Sequence, residues 1–130
     1  MISPKPPQRV FVANLAGHDF SSASTYGNLV ALTEGSISPR GVDRLLYDMS
    51  SKMIGSTAED YLLVTGHPIC NAIAAMIVLS KHDRINFLIW DAKAKSYSPR
   101  TMSRKQIEDY ANGKLPTNAR TSTGETIHSV

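Results

Sequence analysis

The sequence predicts an α/β protein with mainly parallel strands, and three observations support this fold class. Short runs of apolar, β-favouring residues alternate along the chain with longer segments that have helical spacing. The apolar runs are nearly continuous, which is typical of strands covered on both faces. The chain has 130 residues, of which 42% are hydrophobic, and this suffices for one core. We therefore predict one domain over residues 9–113, preceded by a proline-rich arm (1–8) and followed by a Ser/Thr-rich tail (114–130).

Seven elements are predicted before the C-terminal third, and they alternate between strand and helix. Apolar runs of five or six residues predict the strands, and apolar side chains spaced three or four residues apart predict the helices. In chain order the elements are strand 9–14, a short helix through Tyr26, strand 28–32, helix 42–54, strand 61–65, helix 68–81 and strand 85–90.

The boundaries of these elements follow from capping and breaking residues. Asp19 or Ser21 can cap the first helix, and Gly27 can end it. Pro68 stands in the first turn of helix 68–81, where proline is tolerated. That helix is apolar nearly all round, which predicts burial against a sheet and a neighbouring helix or subunit.

The segment after Asp91 predicts one more strand and one more helix. Residues 96–102 can return antiparallel, and Pro99 restricts that strand to an edge of the sheet. Ser103 and the glutamine three residues later have the spacing of a capping box, which opens a short helix to Asn112.

Right-handed crossover connections leave few arrangements for these strands. The most economical is a small three-layer, Rossmann-like sheet of about four parallel strands in the order 2-1-3-4, with the antiparallel strand at one edge. Ligands of such sheets bind at the carboxyl ends of the strands where the order reverses, here between strands one and three. Two loops with Gly-His pairs should therefore face each other across a crevice. The candidate ligand-binding residues are Asn14, Gly17, His18, Asp19, Thr65, Gly66, His67 and Asn71.

The chemistry of this crevice suits an anion better than a defined cofactor. The helix that begins at Pro68 offers free backbone amides and the positive end of its dipole. The sequence lacks the glycine patterns of phosphate-binding loops, and we predict no cofactor and no metal site. His18 and His67 could act as an acid and a base. The simpler interpretation is that both histidines bond backbone groups in turns, so the sequence favours a non-enzymatic protein.

Two further residues beside the crevice receive structural interpretations. Cys70, at the start of the same helix, is interpreted as a small buried residue rather than a reactive thiolate. Trp90, at the end of strand 85–90, is interpreted as a core or interface residue rather than a stacking platform.

The distribution of charge and the cysteine content indicate which binding partners and which cellular compartment to expect. The net charge of +3 divides into −1 for residues 1–92 and +4 for residues 93–130. The basic C-terminal third could bind nucleic acid, although a solvated tail explains it more simply. The single cysteine excludes an intrachain disulfide and fits a reducing compartment. The first residues do not resemble a signal peptide and no apolar run is long enough for a bilayer, so we expect no membrane contact.

Five segments between residues 9 and 102 carry a resemblance to a group of known proteins. They are FVANLAGHDF, YGNLVALTEG, DRLLYD, EDYLLVTGHPICNAIAA and INFLIWDAKAKSY. In these segments the chain resembles small, mostly uncharacterised proteins encoded in the genomes of tailed bacteriophages. The resemblance implies a phage origin and does not select an activity, so no functional residue is taken from it.

Two main functions remain open at this point, beside the weaker alternative of nucleic-acid binding by the basic C-terminal third. The first is a non-enzymatic interaction protein, a phage structural or accessory protein of the virion that docks through its termini. Its partners would be other protein subunits, in a phage assembly or a homo-oligomer. The alternative is a small-ligand module that binds a nucleotide or other anion and sequesters or hydrolyses a signalling nucleotide. We expect synthesis in the host cytoplasm, and a place in the virion if the first function holds.

Overall fold

The structure is a computed structural model, and it describes residues 8–15, 19–38 and 41–116. Almost all of the predicted arm and tail lies outside these residues. The elements of the described ranges are β1 (Arg9–Val12), a 3-10 helix (Ser21–Tyr26), β2 (Asn28–Ala31), α1 (Val42–Lys52), β3 (Tyr61–Leu63), α2 (Pro68–Lys81), β4 (Arg84–Asp91), β5 (Ser96–Ser103) and α3 (Arg104–Ala111).

The five strands form one sheet in the order β2-β1-β3-β4-β5. The pairs among β1, β2, β3 and β4 are parallel, and β5 runs antiparallel to β4 at the edge. The predicted α/β class, the order 2-1-3-4 and the antiparallel edge strand are therefore confirmed. The strand order reverses between β1 and β3, because the chain moves from β1 to one neighbour and then returns to the other side.

Most predicted elements are present, with some ends shifted. The first and third strands are shorter than predicted, because beyond Val12 and Leu63 the sheet continues only as single hydrogen bonds. One of these runs from the Leu15 N–H to the Thr33 carbonyl at 2.9 Å. Helix α1 ends two residues early, since the chain turns at Gly55, whose φ is +81°.

The first predicted helix is a 3-10 helix, and its start differs from the prediction. Phe20 occupies the N-cap position without a side-chain cap. The Asp19 carboxylate nevertheless accepts a hydrogen bond from the Ser21 N–H at 2.9 Å, so Asp19 orders the turn that leads into the helix. Gly27 follows the last helical residue, as predicted.

Helices α1 and α2 cover one face of the sheet, and the 3-10 helix covers part of the other. Alternate strand residues point to the two layers, as expected for strands buried on both faces. Those on the α side include Phe11, Leu62 and Ile85. Those on the other side are Val10, Val12, Leu63 and Leu88, which pack with Phe20 and Ala23.

The helical layer is more exposed than its composition predicts. Ile69, Ala72 and Met76 of α2 are exposed in the single chain, so the sheet and α1 do not bury α2 on all sides, and its cover by a neighbouring subunit stays a prediction. Val42 and Leu46 of α1 are exposed as well, although they lie at helical spacing from the buried Leu45 and Met49. The core contacts of α1 and α2 are with the sheet and with each other, which leaves their outer sides uncovered.

Arg104 joins α3 to the end of α2. Its guanidinium donates hydrogen bonds to the carbonyls of Leu79 and His82, and its backbone N–H donates to the Asp83 carbonyl at 2.7 Å. These bonds satisfy carbonyls that have no partner inside the helix, and they place positive charge at the negative end of its dipole. Arg104 therefore stabilises the fold. Binding of nucleic acid by the other basic residues stays a prediction. The helices of the described residues are each too short or too polar to cross a bilayer.

Candidate functional site

A cavity of about 400 Å³ lies at the carboxyl ends of the central strands. Its described wall consists of Asp19, Phe20, Val64, Thr65, Gly66, Trp90 and Tyr97. The first two residues follow β1, the next three follow β3, and the aromatic pair belongs to β4 and β5. The loops after β1 and β3 therefore meet at one cavity, at the point where the strand order reverses. Ligand binding there stays a prediction.

Two aromatic rings form a corner of this cavity. Trp90 and Tyr97 are direct neighbours across the β4–β5 pair. Their ring centroids are 5.1 Å apart and their planes cross at 67°. Trp90 is 49% exposed, so it belongs to the cavity wall rather than to the core. The Tyr26 hydroxyl donates to the Tyr97 carbonyl at 3.2 Å, which fastens the backbone beneath the pair.

The wall of the cavity also carries a carboxylate, that of Asp19. A hydrogen bond from the Ser21 side chain, followed by one from its backbone N–H, lowers the pKa of Asp19 below the usual aspartate value. Burial, and then the negative charge of Asp19, raises the pKa of Tyr97. At neutral pH the cavity therefore combines an ionised carboxylate with a neutral phenol.

The loop after β3 is closed by one side chain at the start of α2. The Asn71 Oδ1 accepts a hydrogen bond from the Thr65 N–H at 3.1 Å, and its Nδ2 donates to the Thr65 carbonyl at 2.7 Å. The Thr65 hydroxyl accepts from the His67 N–H at 3.3 Å. His67 is the N-cap residue of α2, and its Nδ1 is buried without a hydrogen-bond partner in the described part of the chain. Asn71 thus fixes the loop that carries Thr65 and Gly66.

The residues that follow β1 and β2 form a buried polar cluster. The Asn14 Nδ2 donates to the Thr33 hydroxyl at 2.9 Å and to the Gly35 carbonyl at 3.0 Å. The Thr33 hydroxyl donates to the Ala13 carbonyl at 2.6 Å. The Cys70 Sγ lies 3.5 Å from the same hydroxyl and is buried, which confirms its interpretation as a small core residue. Asn14 therefore orders a loop, and its Oδ1 has no partner among the described residues.

The structure brings part of the predicted site together. The cavity wall includes three of the eight predicted residues: Asp19, Thr65 and Gly66. Three others lie behind the loops rather than on the described wall: Asn14, His67 and Asn71. The last two, Gly17 and His18, lie outside the described residues, so the facing Gly-His pairs stay a prediction.

Sequence reasoning missed the aromatic part of the site. Trp90 could have been found, because it ends the strand next to the reversal of strand order. Tyr97 could not, since its place opposite Trp90 depends on the register of the β4–β5 hairpin. Within the described ranges, no three His, Cys, Asp or Glu side chains group closely enough to hold a metal ion.

Comparison with known proteins identifies the family. Residues 7–104, about three quarters of the chain, match the family described as Phage Pam3 gp32-like protein. The chain belongs to this family. The matched segment contains all five strands and the described wall of the cavity. Membership supports the phage origin that the sequence resemblance implied, while the Rossmann-like description of the core stays a prediction. No curated protein and no solved structure matches the chain.

Proposed function

We propose that this phage-family protein is a non-enzymatic structural or accessory protein of the virion that works by binding another protein subunit. The observation that carries the proposal is a set of exposed apolar side chains on α2 and on strands β4 and β5. We call it the β4 flank, and it consists of Ile69, Met76, Ile89 and Met102, all of which are exposed.

The sheet part of the β4 flank lies where the helical cover ends. Ile85, Phe87 and Ile89 alternate along the same face of β4, and α2 packs on this strand. Exposure rises along the face, from 1% at Ile85 to 40% at Ile89. Met102 pairs with Ile85 across the β4–β5 ladder and is nevertheless exposed. The side chains on this face are therefore less shielded from solvent both towards the end of β4 and towards β5.

The helical part of the flank points away from the buried side of α2. Ala74 of α2 is fully buried in the core cluster and marks that side. Residues of an α-helix follow one another at about 100°, which places Met76 about 160° around α2 from Ala74. Met76 is 61% exposed, and Ile69 lies two turns earlier on the same stripe. This stripe is therefore available to a partner.

Side-chain packing on this flank fits better than addition of a strand to the sheet. The exposed edge strand β5 contains Pro99 and Arg100, and both residue types discourage edge pairing. The other edge strand, β2, has only four residues. Clustered exposed apolar side chains, including adaptable methionines, are typical of protein contact sites. The termini, through which the sequence predicts docking, lie almost entirely outside the described residues.

The proposal predicts the effect of Met76→Lys. We expect the wild-type protein to self-associate in sedimentation velocity or to pellet with purified particles of the phage that encodes it. A lysine at this position should weaken that association about tenfold, because a charge would be buried in an apolar contact. The free energy of unfolding should change by less than about 0.5 kcal/mol, since Met76 is exposed.

Ile54→Lys is the matched control for this experiment. Ile54 is 74% exposed and follows the end of α1, outside the β4 flank. We expect this variant to associate like the wild type. A protein that stays monomeric and does not pellet with particles would contradict the proposal, as would equal effects of the two lysines.

A second function, binding of a nucleotide or other anion to be sequestered or hydrolysed, is favoured by the cavity between the loops after β1 and β3. Helix α2 begins with Pro68 at that end of the sheet, and the positive end of its dipole supports a negative ligand. A thermal-shift screen against nucleotides, with His67→Ala for comparison, tests this function. A rise in melting temperature that depends on His67 would support it, and no rise with any nucleotide would count against it.

A further inference from the structure

We propose that the cavity binds an organic cation, an alkylammonium or guanidinium group, held between the rings of Trp90 and Tyr97 and the carboxylate of Asp19. The inference uses the same cavity as the second candidate function and assigns it a ligand of opposite charge. It is independent of the β4 flank, which lies on the helical side of the sheet.

The cavity wall contains aromatic side chains of the kind that bind cations. Cations bind over ring faces within about 6 Å of the centroid, and cages of several rings recognise quaternary ammonium groups. Here Trp90 and Tyr97 both line the cavity, and their ring planes cross at 67° with the centroids 5.1 Å apart. Phe20 adds a third aromatic side chain to the wall. A guest can reach the corner because half of the Trp90 surface is exposed.

The charge in the cavity also favours a cation. Among the described residues of the wall, only Asp19 is charged. The hydrogen bonds from Ser21 hold the pKa of this carboxyl below the usual aspartate value, so it is ionised at neutral pH. Burial, and then the negative charge of Asp19, raises the pKa of the Tyr97 phenol. An anion in this place would meet both the carboxylate and the negative faces of the rings. An organic cation would be stabilised by both.

The site is held in place before a ligand arrives. Trp90 and Tyr97 are paired across the β4–β5 ladder, and the Tyr26 hydroxyl holds the Tyr97 carbonyl. The Ser21 N–H orients the Asp19 carboxylate, and the Asn71 amide fixes the Thr65 backbone. Such preorganisation reduces the entropy lost on binding. Because a carboxylate offers about four lone-pair positions, the bonds from Ser21 leave Asp19 able to accept more.

Trp90 is the single tryptophan of the chain, so its fluorescence reports on this cavity directly. The probes are choline for a small amine and N-acetylarginine amide for a protein side chain, each at constant ionic strength. The neutral control is 3,3-dimethylbutan-1-ol, which has the shape of choline without its charge. We expect saturable changes with both cations, and a dissociation constant for choline at least about fivefold lower than for the neutral alcohol. Tighter binding of either cation than of the neutral alcohol supports the inference. The cation that binds more tightly shows whether the natural ligand resembles a small amine or a protein side chain.

Variants of the cavity separate charge from shape, with binding measured by calorimetry. Asp19→Asn should weaken choline at least about fivefold, while its amide oxygen can still accept from the Ser21 N–H. Tyr97→Leu removes a ring and should weaken choline to a similar degree. Tyr97→Phe retains the ring and should stay within about twofold of the wild type.

Three results would overturn the cation assignment. These are equal binding of choline and the neutral alcohol, unchanged binding in Asp19→Asn, and binding of inorganic phosphate without binding of either cation. The last result would leave the second candidate function standing. If choline, the arginine derivative, phosphate and nucleotides all fail to bind, both ideas fall.

Discussion

Replacing Asp60 by alanine is expected to lower the free energy of unfolding by about 3 kcal/mol. The Asp60 side chain is only 4% exposed and lies 3.7 Å from the Arg9 guanidinium. Its carboxylate accepts hydrogen bonds from the backbone N–H of Arg9 at 2.9 Å and of Thr57 at 2.8 Å. Alanine would leave both backbone donors and the guanidinium without this partner. Bonds to charged groups in such places are worth about 1.5–3 kcal/mol each.

The large effect reflects the position of Asp60 at the amino ends of three strands. It immediately precedes β3, and its carboxylate binds Arg9, the first residue of β1. Its own carbonyl accepts a hydrogen bond from the Asn86 Nδ2 of β4 at 3.2 Å. Loss of the side chain should therefore loosen the central sheet rather than one loop.

Urea denaturation of the wild type and the variants measures this effect, and Glu59→Ala is the matched control. Glu59 is the adjacent carboxylate, but its ion pair with Arg84 is 3.5 Å long and both side chains are well exposed. Its loss should change the free energy of unfolding by less than about 0.5 kcal/mol. Asp60→Asn keeps one acceptor oxygen and should fall between the two. Equal losses in Asp60→Ala and Glu59→Ala would show that burial does not strengthen the Asp60 bonds.

The sheet was predictable from the sequence where local pattern and topology agree. Strand and helix periods alternate clearly, and the capping box of Ser103 and Gln106 is a local signal that the structure reproduces. The order β2-β1-β3-β4 follows from the handedness and shortness of crossovers. Whether a neighbouring element covers a side chain depends on the tertiary structure, not on the local sequence. The apolar composition of α2 therefore gave no indication that Met76 would be exposed.

The candidate site was predictable to the extent that it depends on strand order. Asp19, Thr65 and Gly66 reach the cavity because the loops after β1 and β3 meet at the reversal. Asn14 and Asn71 were expected to face a ligand. In the structure the Asn14 Nδ2 and both amide atoms of Asn71 bond nearby backbone and side-chain groups, and contact of either residue with a ligand stays a prediction. A sequence does not reveal whether a polar side chain near a turn will satisfy the turn or a ligand. It also does not reveal a partner such as Tyr97, which arrives from another strand.

Gly27→Ala is expected to destabilise the protein by about 3 kcal/mol, since it combines backbone strain with a steric clash. Gly27 has φ +153° and ψ −178°, a conformation that is almost restricted to glycine. An added Cβ would lie 2.6 Å from the Gln8 carbonyl oxygen, which is too close for any real contact. That oxygen also accepts the Asn28 N–H at 3.0 Å, a bond that joins the start of β2 to the chain before β1. Relief of the clash would therefore disturb the β1–β2 pair.

Two other glycines allow the strain and the clash to be measured separately by urea denaturation. Gly35 has φ +69° but open space around the added Cβ, so Gly35→Ala should cost only about 1 kcal/mol of strain. Gly66 has neither a positive φ nor a neighbour within 4 Å of that Cβ, so Gly66→Ala should be neutral or stabilise by about 0.5 kcal/mol. The predicted order of stability is Gly66→Ala above Gly35→Ala above Gly27→Ala. If Gly27→Ala lowers the free energy of unfolding no more than Gly35→Ala does, the backbone around Gln8 must be able to move at little energetic cost. The tight approach of the chain before β1 to the turn before β2 would then contribute little to the fold.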